Sequence, residues 1–173
     1  MKRIVSLIII ATACMTSMAQ DIVVMHNGQE AVGQVIEKCK NCIKFIYDKE
    51  TTLNTIGFNA IKEIRYQSGR TEQITAKIDV DPNEPKTWDN IRVVYDKDEI
   101  MGLKSLGQVE KHSSGTWSFS ITAGHFSEKT LKKIRKEAGL RGGCIVLILS
   151  SQSQSGGLLN DGHASMTGEI YTY

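Results

Sequence analysis

Short apolar runs separated by turn residues define the first half of this sequence. Ile22–Met25 leads into Asn27-Gly28, a pair typical of type I′ hairpin turns because both residues tolerate positive φ. Ala31–Glu37 then has the composition of a returning strand, and in Ile43–Tyr47 alternate side chains share one face. The pattern continues in three more runs: Leu53–Ile56, Ile61–Tyr66 and Thr71–Ile74. This rhythm predicts a small antiparallel β-barrel-like domain over residues 20–78.

The segment 79–89 separates this half from the rest of the chain. It holds both prolines of the sequence, Pro82 and Pro85, among polar residues. Because proline fixes φ and lacks a backbone donor, the segment can neither join a central strand nor form a long helix. We therefore predict a linker here and a second domain over residues 90–173.

A helix is predicted in the middle of the second domain. Ser127 suits the N-cap position, and Leu131, Ile134 and Ala138 recur at helical spacing on one side. The glycines of Arg141-Gly142-Gly143 end the helix, because glycine readily adopts the conformation that closes a C-terminus.

Apolar runs on both sides of this helix predict strands. Cys144–Leu149 lacks polar side chains, which favours a strand covered on both faces. The stretch 150–163, rich in Ser, Gln and Gly, is predicted to be a mobile loop. Further strands are expected at Ile91–Tyr95, Gly107–Trp117 and Gly168–Tyr173. The chain as a whole is therefore expected to belong to the α+β class.

The first residues of the chain have the regions of a secretory signal peptide. Lys2 and Arg3 precede the apolar stretch Ile4–Ala13, and small residues stand at Ser17 and Ala19. About 20 apolar residues are needed to span a bilayer, and no segment of this chain reaches that length. We therefore expect a cleaved signal peptide over residues 1–19, export to the periplasm or the outer membrane, and no integral span afterwards.

An alternative processing site lies inside the same segment. In Ala11-Thr12-Ala13-Cys14, small residues precede a cysteine, although the large aliphatic residue that usually stands three positions before it is missing. Lipidation of Cys14 would anchor the mature protein to a membrane instead of releasing it.

Charge and cysteine content limit the classes of partner. Loss of residues 1–19 removes Lys2 and Arg3 from 21 basic residues, so the remaining bases balance the 19 acidic residues. A neutral chain lacks the basic surface typical of nucleic-acid-binding proteins, so no such partner is expected. Three cysteines remain, and in an oxidising compartment they predict one disulfide and one free thiol: Cys39, Cys42 and Cys144.

The pieces Ala19-Gln20, Asn27-Gly28 and Gly33-Gln34-Val35 follow one another at the start of the mature chain. In their types and order, residues 21–74 resemble an N-terminal module of exported Bacteroidetes proteins. The hairpin spacing is also similar to that of Sm-like and SH3-like barrels. The resemblance implies a fold and no activity.

Four motifs follow one another in the second half: Leu106-Gly107-Gln108-Val109, Leu131–Ala138, Gly142–Val146 and Gly168–Tyr171. Residues 90–173 thereby resemble small envelope proteins that include uncharacterised lipoproteins, the outer-membrane sensor of the Rcs phosphorelay and a proposed heavy-metal-binding family. The resemblance implies a strand-strand-helix-strand-strand domain with the helix on one sheet face. The Rcs sensor has paired disulfides here, whereas Cys144 stands alone, which argues against Rcs-type signalling. We expect Cys144 to be a buried, inert thiol.

Cys39-Lys40-Asn41-Cys42 is the most distinctive chemical motif of the mature chain. Two thiols at this spacing form a disulfide, a redox couple or half of a metal site. A redox couple needs its nucleophile at a helix N-terminus, which lowers the thiol pKa, whereas these cysteines flank a predicted hairpin turn. A structural zinc site needs two further ligands. The sequence favours a structural disulfide between Cys39 and Cys42, with redox activity and metal binding as alternatives.

Two sets of side chains in the second domain are candidate binding residues. Three histidines are candidate metal ligands, although their spacing matches no metal motif and solvated loop histidines are the alternative: His112, His125 and His163. The helix also carries more basic than acidic residues, which suits a lipid headgroup or an acidic envelope protein, or else marks a solvated outer face: Lys129, Lys132, Lys133, Arg135 and Lys136.

Motifs of catalysis are missing from the sequence. It contains no nucleophile elbow, phosphate loop, dinucleotide-binding glycine set or zincin helix, and no carboxylate pair at a telling spacing. No cofactor is expected. The sequence therefore predicts a non-catalytic exported cell-envelope protein that binds, senses or scaffolds, with a periplasmic metal-binding or thiol-redox protein as the alternative. Whether the chain catalyses any reaction stays open at this point.

Overall fold

A computed structural model of the protein describes residues 20–115, 123–154 and 162–173. These residues form two β-sheets and one long helix, so the protein is mixed α+β, as the sequence predicts. The strands of the first sheet come from residues 21–73, and those of the second from residues 92–172. The predicted signal peptide and the alternative lipidation site Cys14 lie outside the described residues.

The first sheet is antiparallel, with the strand order β4-β3-β2-β1-β5-β6. Its strands are β1 Asp21–Met25, β2 Glu30–Lys38, β3 Cys42–Tyr47, β4 Asn54–Gly57, β5 Ile61–Arg65 and β6 Thr71–Gln73. One face of the sheet packs around Val23, Ile43, Phe45 and Ile61, which are all fully buried. All six predicted strands are present, and their ends lie within one residue of the predicted ends.

The first sheet is open, which corrects the β-barrel-like domain predicted for residues 20–78. Its edge strands β4 and β6 are short, and each pairs with one neighbour. A closed barrel needs every strand to pair on both sides. Instead, an ion pair between the Lys38 and Glu72 side chains links β2 to β6. Leu103, which lies beyond the linker, packs against the core of this sheet.

The turn between β1 and β2 differs from the predicted type I′ hairpin. Met25 N donates to Gln29 O at 2.9 Å, and Gly28 N donates to Met25 O at 3.1 Å. Gly28 has a φ of 87°, whereas Asn27 does not have a positive φ. The loop therefore has three residues and consists of a type I turn followed by a glycine in the left-handed region. Only this glycine needs a positive φ.

The second sheet has the strand order β7-β9-β10-β8, and β7 is parallel to β9 while the other pairs are antiparallel. Its elements are β7 Arg92–Val94, β8 Lys104–Gly115, helix α1 Ala123–Leu140, β9 Ile145–Gln154 and β10 Gly162–Thr172. Helix α1 covers one face, where Ile134 and Ala138 pack against Val146 and Ile170. Of the predicted run Cys144–Leu149, residues 144–148 are buried, as expected of a strand covered on both faces, whereas Leu149 is exposed.

Several boundaries in the second half differ from prediction: β8 begins at Lys104 rather than Gly107, and β10 begins at Gly162 rather than Gly168. Helix α1 begins at Ala123, one turn before Ser127, so Ser127 lies within the helix and not at its N-cap. The predicted loop 150–163 is a strand as far as Gln154, which pairs with His163 of β10. Backbone pairing with a neighbouring strand outweighs the low strand propensity of serine and glutamine here.

The two sheets are joined by the segment between β7 and β8. Gly57 N donates to Met101 O at 2.9 Å, and Asn59 Nδ2 donates to Glu99 O at 3.1 Å. Arg92 Nη1 on β7 donates to the side-chain oxygen of the buried Asn59. Leu103 contacts the cores of both sheets. These contacts hold the two sheets in one packed unit.

The predicted linker 79–89 is packed against the helix. Part of it forms the 3₁₀ turn Pro85–Asn90, and the Trp88 ring packs against Gly139 of α1. Trp88 Nε1 donates to Asp81 O at 3.1 Å. The segment thus follows the surface of the second sheet and its helix rather than acting as a free tether.

Candidate functional site

Cys39 and Cys42 face each other at the end of the β2–β3 hairpin. The register pairs Lys38 with Ile43, so the next two residues that face each other, toward the turn, are Cys39 and Cys42. Cys39 N donates to Cys42 O at 2.8 Å. Hydrogen-bonded partners in an antiparallel pair have Cα atoms about 5.5 Å apart, which suits a disulfide. Both cysteines are free thiols in this structure. The fold brings the two thiols together, and the disulfide between them stays a prediction.

The surroundings of Cys42 determine the reactivity of this pair. Cys42 is fully buried and Cys39 is partly exposed. Burial, followed by the contact with the Cys39 thiol, raises the pKa of Cys42 to about 12. Redox-active cysteines have a lowered pKa, because the thiolate is the nucleophile. Reduced Cys42 is therefore a poor nucleophile at neutral pH.

We predict that the reduced protein loses stability as the pH rises from about 9 to about 12. The pKa of Cys42 rises from 9.0 to about 12 on folding, and those of Tyr171 and Tyr173 rise from 10.0 to about 12. A group with a raised pKa stabilises the fold fully below its unfolded pKa, and this contribution is lost as the pH passes its folded pKa. The measurement is Tm against pH with reductant present. A Tm that stays constant from pH 9 to pH 12 would contradict it, and Cys42→Ser should reduce the slope.

Two of the three predicted metal ligands lie on one sheet face. His112 on β8 pairs with Ser165, and His163 on β10 pairs with Ser114, so both side chains lie on the face opposite helix α1. Both are exposed strand residues, whereas the sequence predicts that His163 lies in the loop 150–163. His112 Nε2 is 3.4 Å from Glu110 Oε1.

A complete metal site is not seen in the part of the chain that the structure describes. Within residues 20–115, 123–154 and 162–173, no three His, Cys, Asp or Glu side chains are grouped to hold a metal ion. The side chain of His125, the third predicted ligand, lies outside the described residues. Metal binding by these histidines stays a prediction.

The basic side chains of helix α1 divide into two groups. Lys133 Nζ donates to His112 O at 2.6 Å, and the Nε atom of Arg135 is buried with no hydrogen-bond partner among the described residues. The outer face carries Lys129, Lys132 and Lys136, all exposed, and Lys132 lies 3.4 Å from Glu128. Only the outer three are therefore placed to meet an external anionic partner.

A cleft around His26 is a site that the sequence did not reveal. Two cavities of about 410 Å³ each share His26 and Lys77 in their walls. One cavity runs along the first sheet past Lys62, and the other lies between the two sheets beside Tyr173. These residues come from distant parts of the chain and follow no motif. No sequence signal connects them.

Cys144 lies at the wall of the cavity between the sheets. It is buried, which confirms that part of the prediction, and its Sγ donates weakly to Tyr171 O at 3.8 Å. Burial raises the pKa of the Cys144 thiol, and a contact with Tyr173 opposes this shift. Tyr173 Oη accepts from Ile78 N at 3.0 Å. The thiol is thus protonated at neutral pH and has low nucleophilicity.

Comparisons with known proteins give no further guide to this site. Neither protein-family models, nor curated proteins, nor solved structures contain a match to the chain. Among the described helices, none combines the length and the apolar composition that crossing a membrane requires.

Proposed function

We propose that this chain is a non-catalytic protein of the cell envelope, exported to the periplasm or the outer membrane, that acts by binding a partner. The observation that carries the proposal is the cysteine pair. Cys39 and Cys42 are direct cross-strand partners, and Cys42 is fully buried with a raised pKa. This geometry suits a structural disulfide of an exported protein, and the pair flanks a hairpin turn rather than the helix N-terminus that lowers the pKa of a redox-active thiol.

The hydrogen bonds of His26 support a non-catalytic role. Within the described residues, the His26 side chain forms a hydrogen bond with a hydroxyl group, because its Nε2 lies 2.8 Å from Thr75 Oγ1. Thr75 Oγ1 in turn lies 2.8 Å from Ile61 O, which can only accept, so the hydroxyl donates its proton to the backbone. Thr75 therefore accepts from His26 and is not activated by it as a nucleophile.

The family resemblance also supports an envelope role. The elements of the second sheet follow the order β7, β8, α1, β9 and β10, which is the strand-strand-helix-strand-strand order of the small envelope proteins. The partner is proposed to be an envelope protein or a lipid headgroup, and the outer face of α1 offers a contact surface: Lys129, Lys132 and Lys136.

The test is thiol alkylation and metal analysis of the natively exported, mature protein. We expect Cys39 and Cys42 to resist alkylation until a strong reductant is added, because their disulfide closes a hairpin of matching geometry. A Cys39→Ser/Cys42→Ser variant is the control for the labelling of Cys144. Rapid exchange of the pair with glutathione, or stoichiometric bound metal, would overturn the proposal in favour of the redox or metal-binding alternative.

Intact mass of the same material tests the mode of export. A mass that starts at Gln20 supports release by a signal peptidase, whereas an acylated mass starting at Cys14 means a lipid anchor. A mass that still includes residues 1–13 would contradict export.

A further inference from the structure

The cleft around His26 is built from three parts of the fold. His26 lies in the β1–β2 turn, Lys77 lies in the segment that leaves the first sheet, and Tyr173 ends the chain next to β10. The two cavities of about 410 Å³ meet at His26 and Lys77. Cavities of this size accommodate small organic ligands.

The imidazole of His26 is held in one orientation. Its Nε2 donates to Thr75 Oγ1, since the Thr75 hydroxyl donates to a backbone carbonyl. The ring also packs against Tyr173, with 4.8 Å between the ring centroids. Neutral His26 therefore keeps its Nδ1 lone pair, and the protonated ring would gain an Nδ1–H donor.

The charges facing His26 are mainly positive. Burial is the largest cause that lowers the pKa of His26. The positive charges of Lys77, Arg92 on β7 and Lys62 on β5 lower this pKa further. The acidic side chain in the cavity walls is Asp79, and it is exposed. Tyr173 and Cys144 are neutral near pH 7, because burial raises the pKa of each. The cleft thus gathers cationic groups in a protein of balanced charge.

We propose that this cleft binds the oxyanion group, a phosphate or a carboxylate, of a small ligand, with Lys77 as its counter-ion and protonated His26 as a hydrogen-bond donor. The inference rests on the binding role proposed above and names the chemical class of the ligand. Lys77 is exposed and lines both cavities, and of the charged groups around His26 it acts most strongly on the imidazole. A bound anion also favours protonation of His26 by offsetting the surrounding positive charge.

Binding of the oxyanion is therefore linked to uptake of a proton. In the free protein His26 is neutral at pH 7, because its pKa lies below the ordinary value of 6.5. An anion raises that pKa, so binding tightens as the pH falls from about 7.5 to about 5.5. The other facing groups, Lys62, Lys77 and Arg92, keep their charge over this range.

The experiment is calorimetric titration of inorganic phosphate into the mature full chain at about pH 7.5 and at about pH 5.5. We expect tighter binding at the lower pH, and roughly tenfold weaker binding for Lys77→Gln. His26→Gln retains a donor to Thr75 and should remove the added affinity at low pH. Sulfate is the parallel probe, because its charge stays constant over this range while that of phosphate changes. Lys97→Gln is the matched control, because it removes the same charge from an exposed lysine in the segment between β7 and β8.

Two results would overturn the inference: no phosphate or sulfate binding by the wild-type chain, or equal affinities for Lys77→Gln and Lys97→Gln. Vesicles containing phosphatidylglycerol distinguish the sources of the oxyanion. Vesicle binding that Lys77→Gln weakens assigns it to a lipid headgroup, and phosphate binding alone assigns it to a soluble ligand. Failure of this site leaves the cysteine test unaffected, and a redox-active cysteine pair leaves phosphate binding unaffected.

Discussion

Replacing Gly57 with alanine is expected to lower the free energy of unfolding by about 3 kcal/mol, because the added methyl group forces the two sheets apart. A Cβ at this position would lie 2.5 Å from Asp98 O and 2.8 Å from Glu99 O. Both atoms belong to the backbone and cannot rotate away. The φ of Gly57 is −70°, which any residue adopts, so the expected effect comes from lack of space alone.

Chemical denaturation and thermal unfolding measure this effect. A loss of about 3 kcal/mol corresponds to a decrease of roughly 10 °C in Tm for a chain of this size. Thr55→Ala, in the same strand, is the control, and it loses only the contact of Thr55 Oγ1 with Lys44 Nζ at 2.7 Å. Equal stabilities of Gly57→Ala and Thr55→Ala would show that the junction between the sheets is not tightly packed.

Replacing Asp21 with alanine is expected to cost about 3 to 5 kcal/mol of stability. The Asp21 carboxylate is only 6% exposed, and it accepts from Val35 N and from Gln67 N, each at 2.9 Å. It thereby connects the irregular end of β2 to the turn between β5 and β6. Hydrogen bonds to a charged group contribute about 1.5 to 3 kcal/mol each, and alanine leaves both N–H donors without an acceptor.

Urea denaturation at neutral pH provides the measurement for Asp21. Asp48→Ala removes an exposed carboxylate from the same part of the fold and should change stability little, since Asp48 contacts Gln20 and Lys49 at the surface of the protein. Asp21→Asn should be intermediate, because its amide has one acceptor oxygen and turns its NH₂ group toward the second N–H. If Asp21→Ala is no less stable than Asp48→Ala, the carboxylate does not hold these two segments.

The strands of the first sheet were predictable because each is a local pattern. Alternation in Ile43–Tyr47, and turn residues such as Gly28, depend on neighbours in sequence. Closure into a barrel was wrong because it depends on whether β4 and β6 find partners, which is a property of the whole sheet. The same reason explains Ser150–Gln154, whose composition indicates a loop while β10 holds it as a strand.

The candidate sites follow the same division. Cys39 and Cys42 are close in sequence, so a hairpin between them was enough to predict that they face each other. His112 and His163 share a face only because β8 pairs with β10. The cleft of His26 has no sequence signature, since its other walls come from residues about 50 and about 150 positions further along the chain.

The sequence by itself determined the class of the fold, the six short strands, the buried strand after Gly143 and the position of Cys39 opposite Cys42 across a hairpin. Each of these depends on hydrophobic period, turn chemistry or short loop closure, which act between residues near one another in the chain. Only the tertiary structure decided that the first sheet stays open, that Gly57 meets the backbone of Asp98, and that His26, Lys77 and Tyr173 surround one cleft. The physical reason is that packing between distant segments depends on the shape and charge of surfaces that exist only after the strands have formed.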